Sequence, residues 1–422
     1  MWRGRIAVAV GAVLAACACG RSGTNGAPLE LWAMGREGET VERLLPEFER
    51  RHPGLHVRVQ QLPWSAAHEK LLTAYVGDAL PDVVQVGSTW IPELVALGAL
   101  EPLDAQLDAT PGMPRADFFP GILATHVIDG RTMAIPWYVD TRVLFYRSDL
   151  LRAAGASGPP ASWDEWLGVM GRLTKPREHY ALFLPLTDWV MPVVLALQRH
   201  AELLRDGDRY GNFASPPVRD AFRFYVALFE KNLAPVAAAA DVTNVYDDFA
   251  AGYFAIYPSG PWDLGEFGRR LPSKLAQAWA VAPMPGNAPD VPGLSLAGGA
   301  GLAFVARSRR HADAWKLIEF LSEPAQQAAF HELTGDLPSR RSAWEAAALE
   351  RDPRTAVFWT QLAHVAAPPA IPEWERIATA VGRSAAAVVR GDVELDEALA
   401  RLDHDVDGML EKRRWLLERG RR

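Results

Sequence analysis

The sequence predicts an α/β protein built in two halves, and three observations carry that prediction. The length of 422 residues corresponds to two or three domains at about 150 residues each. A content of 49% hydrophobic and 23% charged residues is that of an ordinary globular chain, not a disordered one. Short alternating segments recur between amphipathic stretches, which implies βαβ units and a mostly parallel sheet.

The elements follow in order. Leu29-Glu30-Leu31-Trp32-Ala33 alternates and reads as a first strand. Val41, Leu44, Leu45 and Phe48 lie at helical spacing within Glu39–Arg51, and His52-Pro53-Gly54 stops that helix. Leu55–Val59 alternates as a second strand, a helix runs from about Ala66 to Val76, and Asp82–Val86 is a third strand. Ala134–Arg147 is extended, and Ser148–Ala154 is a short helix closed by Gly155. Ser162 and Glu165 form a capping box that opens a helix to about Leu173. Gly252–Tyr257 and Gly301–Ala306 read as strands, with Pro258–Pro261 turning out of the former. Ala312–Leu321 is helical, and so are the last fifty residues, with Ala and Leu at three and four spacing from Trp374 to Leu417.

Several functions are excluded by what is missing. The net charge is −7, whereas a nucleic-acid binder needs a basic face for phosphates. Both Cys precede residue 20, so the body has no disulfide, Cys-zinc site or thiol nucleophile. His68-Glu69-Lys70-Leu71-Leu72 has no second His, and Gly298-Gly299-Ala300-Gly301 lacks the Lys-Ser/Thr of a phosphate loop. Asp403, Asp405 and Asp407 imitate the opening of a calcium loop, but Arg414 stands where its bidentate Glu belongs. These three are read as a solvated acidic helix face. No catalytic, cofactor or metal-ligating set is expected.

The N-terminus reads as an address. Arg3 and Arg5 precede an apolar run from Ile6 to Ala16, too short to span a bilayer as a stable helix. Leu14-Ala15-Ala16-Cys17 resembles a bacterial lipobox. The expectation is a signal peptide over 1–16, lipidation at Cys17 and a flexible Gly/Ser-rich tether over 17–27. The body would then lie outside the cytoplasmic membrane, in the periplasm or at the cell surface.

An ordered series of motifs resembles the family 1 extracellular solute-binding proteins, the lipoproteins that serve ABC sugar importers, and is close in pattern to the maltose- and trehalose-binding proteins. It comprises Trp32, Phe48 with Pro53, Trp64, Gly77 with Pro81-Asp82-Val83-Val84, and Ile135-Pro136-Trp137-Tyr138-Val139-Asp140-Thr141. It continues with Phe145-Tyr146-Arg147-Ser148-Asp149-Leu150-Leu151, Pro159–Glu165, Gly260-Pro261-Trp262, Gly298-Gly299 and Leu337-Pro338. The resemblance implies a two-lobe periplasmic-binding-protein fold, type II-like, with hinge strands and a ligand cleft between the lobes. One lobe would take 28–138 plus 294–338, the other 139–293 plus 339–422.

The resemblance also implies a ligand, partners and a site. The ligand would be a sugar, a disaccharide such as an α-glucoside, passed by a monomer to the transmembrane subunits of an ABC permease, with no chemistry of its own. Trp262, Trp374 and Trp189 match stacking or aromatic positions, and Asp140 a sugar-binding carboxylate. Glu37, Trp64, Ser88, Thr89, Tyr246, Gly298, Gly299 and Arg340 complete the expected binding set, with Arg341 an alternative to Arg340. Trp163 and Trp166 are assigned to packing. Val86 replaces an aromatic of the maltose binders, with Trp90 four residues on to compensate. Two other readings stay open: the same fold holding an anionic polyol such as a glycerol phosphodiester, and a lipid-anchored glycoside hydrolase with paired cleft carboxylates.

Overall fold

The structure, a computed structural model, describes residues 26–175, 178–237, 244–288 and 291–420. The signal peptide over 1–16, Cys17 and nearly all of the tether lie outside the described residues.

Two sheets organise the chain. The larger has seven strands: Leu29–Met34, Val57–Leu62, Val83–Gly87, Leu100–Glu101, Ile135–Asp140, Gly298–Val305 and Leu337–Pro338. Leu29 and Leu31 enter one core with Phe48, Val83, Leu302 and Phe304, while Trp32 and Met34 enter another with Val84, Val86, Ala303 and Val305. The sheet is thus buried on both faces, which is why its strands carry apolar residues at odd and even positions alike. The smaller sheet joins Val143–Arg147, Tyr180–Leu182, Phe254–Ser259 and Trp279–Ala282. Its faces pack against a cluster holding Phe145, Phe254, Phe267 and Trp344, and against a largely helical core holding Trp166, Tyr225 and Trp374.

The expectation of a mostly parallel sheet is corrected. Leu29–Met34 pairs in parallel with both Val57–Leu62 and Val83–Gly87, but Gly298–Val305 returns antiparallel against Val83–Gly87 and Ile135–Asp140. In the smaller sheet, among the described residues, the one parallel pair is Phe254–Ser259 with Tyr180–Leu182. The chain passes from the large sheet to the small one between Asp140 and Val143. A second passage runs alongside, from Ser295 to Gly298. Ser295 Oγ accepts from the Arg142 backbone N–H at 3.0 Å and donates to the Arg142 carbonyl at 2.9 Å, so the two passages are tied together.

Some boundaries move, each for a local reason. The helix expected over Glu39–Arg51 is two, Gly35–Val41 and Leu45–Arg51. Pro46 has no N–H to give a continuous helix, and instead sits in the first turn of a new one. Gly252 is not in a strand but caps the helix Val245–Ala251 at φ +77°, a left-handed position that suits Gly. Pro258 and Ser259 stay in the strand, opposite Leu144 and Val143. The C-terminal run divides into Trp374–Arg390, Leu395–Met409 and Glu411–Glu418, with Gly391 at φ +76° ending the first. The capping box is present in altered form, for Ser162 accepts from the Glu165 N–H while the Glu165 carboxylate reaches the N–H of Ala161. Asp403 and Asp407 are not simply solvated, because they accept backbone N–H bonds from Phe213, Ala214 and Gly211 and fasten the hairpin at 204–211 to the helix.

Candidate binding cleft between the two sheets

The strand directions explain where the candidate residues meet. Leu29–Met34, Val57–Leu62 and Val83–Gly87 run the same way, and the residues just past their C-terminal ends are Glu37, Trp64 and Ser88–Thr89. Ile135–Asp140 shares that direction through its antiparallel neighbour and ends at Asp140, which pairs with Gly298. Gly299 lies beside it at φ +133°, and a Cβ there would stand 2.3 Å from the Tyr138 carbonyl oxygen, so only Gly fits. From the small sheet, Phe254–Ser259 leads to Trp262 and Tyr180–Leu182 to Trp189. Ligands of open α/β sheets bind at the carboxyl ends of strands, and here two sets of such ends face one cleft.

That cleft has a volume of ≈ 590 Å³, within the usual range for small-molecule sites. Nine expected residues line it: Glu37, Trp64, Ser88, Thr89, Asp140, Trp189, Trp262, Gly298 and Gly299. Trp64 and Trp262 are each 37% exposed, large apolar rings presented to solvent. Trp90 also lines the cleft and packs tilted on Trp64 at 5.4 Å, while Val86 is wholly buried.

Three expected residues lie elsewhere. Trp374 is completely buried and meets Trp189 edge-on at 5.6 Å, because the first turn of its helix faces the helical core. Arg340 points into the fold, where it binds Asp117 at 2.7 Å and the carbonyls of Ser322 and Gly112. Arg341 lies over the Phe119 ring at 5.6 Å. Tyr246 donates to Asp263 at 2.7 Å and meets Phe267 edge-on, away from the cleft lining. Trp163 and Trp166 are buried, as expected of packing residues.

Residues 33–328 match the family described as bacterial extracellular solute-binding protein. The chain belongs to that family. This solute-binding protein is 43% identical to the sugar-binding protein MalE from Xanthomonas citri, with 93% of this chain and 99% of that one covered and a TM-score of 0.87. It is 25% identical to the diacetylchitobiose binding protein DasA of Streptomyces coelicolor over 76% of each chain. The GacH receptor of Streptomyces glaucescens shares the fold, at 24% identity, coverage of 91% and 98%, and a TM-score of 0.80.

The cleft of this solute-binding protein holds polar residues that the sequence reading passed over, chiefly Tyr138, Arg142 and Asp336. Glu37 accepts from Tyr138 Oη at 2.8 Å, and Tyr138 accepts from Gln85 Nε2 at 3.0 Å. Gln85 Oε1 in turn receives the Met34 N–H at 2.8 Å, so this chain is anchored on the sheet itself. Burial pushes the Glu37 carboxyl up, and bonds from Tyr138 and Trp64 oppose the rise. Asp336 is pushed up to about 8, first by burial and then by the neighbouring Glu37. Burial also raises Asp140, against the pull of Arg142, whose guanidinium is 2.7 Å away. Across the cleft, Arg36 of the helix Gly35–Val41 meets Glu266 of the helix Trp262–Arg270 at 3.0 Å.

A stability prediction follows from Asp336. A carboxyl with a folded pKa above its unfolded value of 3.8 holds its proton more tightly when folded. Its contribution is whole below about pH 4 and is lost as the pH climbs through about 8. Asp336→Asn cannot ionise, so its melting temperature should exceed the wild type's by on the order of 2–4 °C at pH 9. Parallel melting curves across pH 4–9 for the two proteins would contradict the assignment.

Proposed function

We propose that this protein captures a neutral disaccharide, of the α-glucoside kind, by closure of two lobes about the passages at 140–143 and 295–298, and delivers it to the transmembrane subunits of an ABC permease. The observation that carries the reading is the pairing of exposed indole rings, Trp64 and Trp262, with carboxylates at the same cleft. A pyranose has an apolar C–H face for an indole and a rim of hydroxyls for acids and amides, and a mismatch leaves buried polar groups unpaired. The relatives named for sugars, MalE and DasA, support the same class of ligand.

The charge of the lining opposes an anionic ligand. The cationic groups in the lining described are Arg36 and Arg142, and both are already paired with carboxylates, Glu266 and Asp140, while Glu375 adds a further acid. A phosphodiester would need free convergent cations.

Titration calorimetry against maltose, trehalose, sucrose, glycerophosphocholine and longer glucans tests the ligand. Micromolar binding of one disaccharide supports the reading; a signal from the phosphodiester alone overturns it. Closure is tested by small-angle scattering, where an unchanged radius with sugar bound would reject hinge motion.

The reading places the lobe boundaries near 138, 294 and 338, the working form as a monomer, and the membrane anchor at Cys17 outside the cytoplasmic membrane. Cys17→Ser is expected to move the protein from the detergent phase to the aqueous phase on temperature-induced partition. Retention in the detergent phase would count against lipidation there.

A further inference from the structure

We infer that Arg142 is the positioning residue that fixes Trp262 as a rigid stacking platform, and that position 260 must stay bare to seat its ring. The inference rests on the sugar reading for its consequence, but not for its geometry.

Trp262 opens the helix Trp262–Arg270, immediately beyond the last strand residue Ser259 and the turn Gly260-Pro261. A 37% exposed indole at a helix start has little packing of its own to choose its rotamer. Two contacts supply the choice. The six-membered ring folds back over Gly260, where a Cβ would lie 2.1 Å from Cζ3 and 2.3 Å from Cη2. No side chain can share that space, so Gly is required here by volume and not by backbone conformation. The Arg142 guanidinium lies 4.6 Å from the ring centroid, in the range of a cation–π contact.

Arg142 is itself held firmly. Its guanidinium pairs with Asp140 at 2.7 Å, and its backbone is bound on both sides by Ser295 Oγ. The other groups whose charge reaches it are Asp188 and Tyr257. Asp140 closes a strand of the large sheet, whereas Trp262 belongs to the small-sheet half. The orientation of the platform is therefore set from the other side of the passage, through Asp140 and then Arg142. A ring fixed before the ligand arrives spares the rotamer entropy that stacking would otherwise cost.

The test uses the purified protein labelled with 5-fluorotryptophan, with the Trp262 resonance assigned by its loss in Trp262→Phe. Arg142→Lys keeps a charge for Asp140 but loses the planar stack. It should shift or broaden the Trp262 resonance without ligand and weaken the disaccharide by about three- to thirtyfold. Gly260→Ala should move the same resonance. In the Trp262→Phe background, Arg142→Lys should cost less than about twofold, because a residue acting through the ring has nothing left to position. An unaltered Trp262 resonance in Arg142→Lys overturns the inference. So does an undiminished loss of affinity in the Trp262→Phe background, which would make Arg142 a sugar contact in its own right. If the wild type binds none of the sugars, the functional reading fails, and the ligand-free spectra still decide the positioning role.

Discussion

Trp374→Ala is expected to lower the unfolding free energy by about 3–5 kcal/mol, the usual range for emptying a buried aromatic site. The ring is fully buried at the start of the helix Trp374–Arg390, in one cluster with Leu186, Val190, Val193, Ile371 and Ile377. Its edge-on contact with Trp189 also supports the one aromatic of that cluster that reaches the cleft. The indole N–H has no hydrogen-bond partner among the described residues, so Trp374→Phe should cost much less than Trp374→Ala. Urea unfolding followed by circular dichroism checks both. A Trp374→Ala protein that unfolds with the wild type yet loses its sugar would return this ring to the binding surface.

Trp262→Ala should show the opposite pattern. With the ring partly solvent-exposed, the unfolding midpoint should shift by no more than about 0.5 kcal/mol in equivalent terms. Disaccharide affinity should fall by about a hundredfold, since a central stacking ring is worth about 2–4 kcal/mol to a binding site. Calorimetry and urea unfolding on the same preparation separate the two quantities. Equal affinity in wild type and variant would remove the ring from the site. Together the two tryptophans test whether the cleft and the core divide as the fold divides them.

The comparison of these two rings also shows what a sequence can convey. Glu37, Ser88 and Thr89 were legible because they follow strands, and strand ends of one direction converge on one edge, whereas Trp64 and Asp140 were legible through the family motifs that hold them. Trp374 and Arg340 were not. A Trp at a helix start points to solvent or core according to how the whole helix is rotated, and that depends on packing partners far along the chain. Arg340 finds Asp117 across 223 residues of sequence, a pairing with no local signature. The antiparallel return of Gly298–Val305 was hidden for a related reason, because alternation has the same period in either direction. Asp336 was passed over because what sets it apart is burial, and burial is decided by the fold and not by its neighbours Gly335 and Leu337.

The contact between Arg36 and Glu266 has a consequence in time. The two halves part only by severing it, yet a pair this exposed is worth no more than about 1 kcal/mol, and its reach shrinks to about 3 Å in molar salt. A neutral sugar feels no such field on its way in, so its encounter rate should be indifferent to ionic strength. Under the proposed closure escape is different, since a departure that opens the lobes must break the ion pair first. Salt in the surrounding medium would therefore shorten the dwell of a captured molecule without slowing its arrival, making residence, more than recognition, the quantity that the environment tunes.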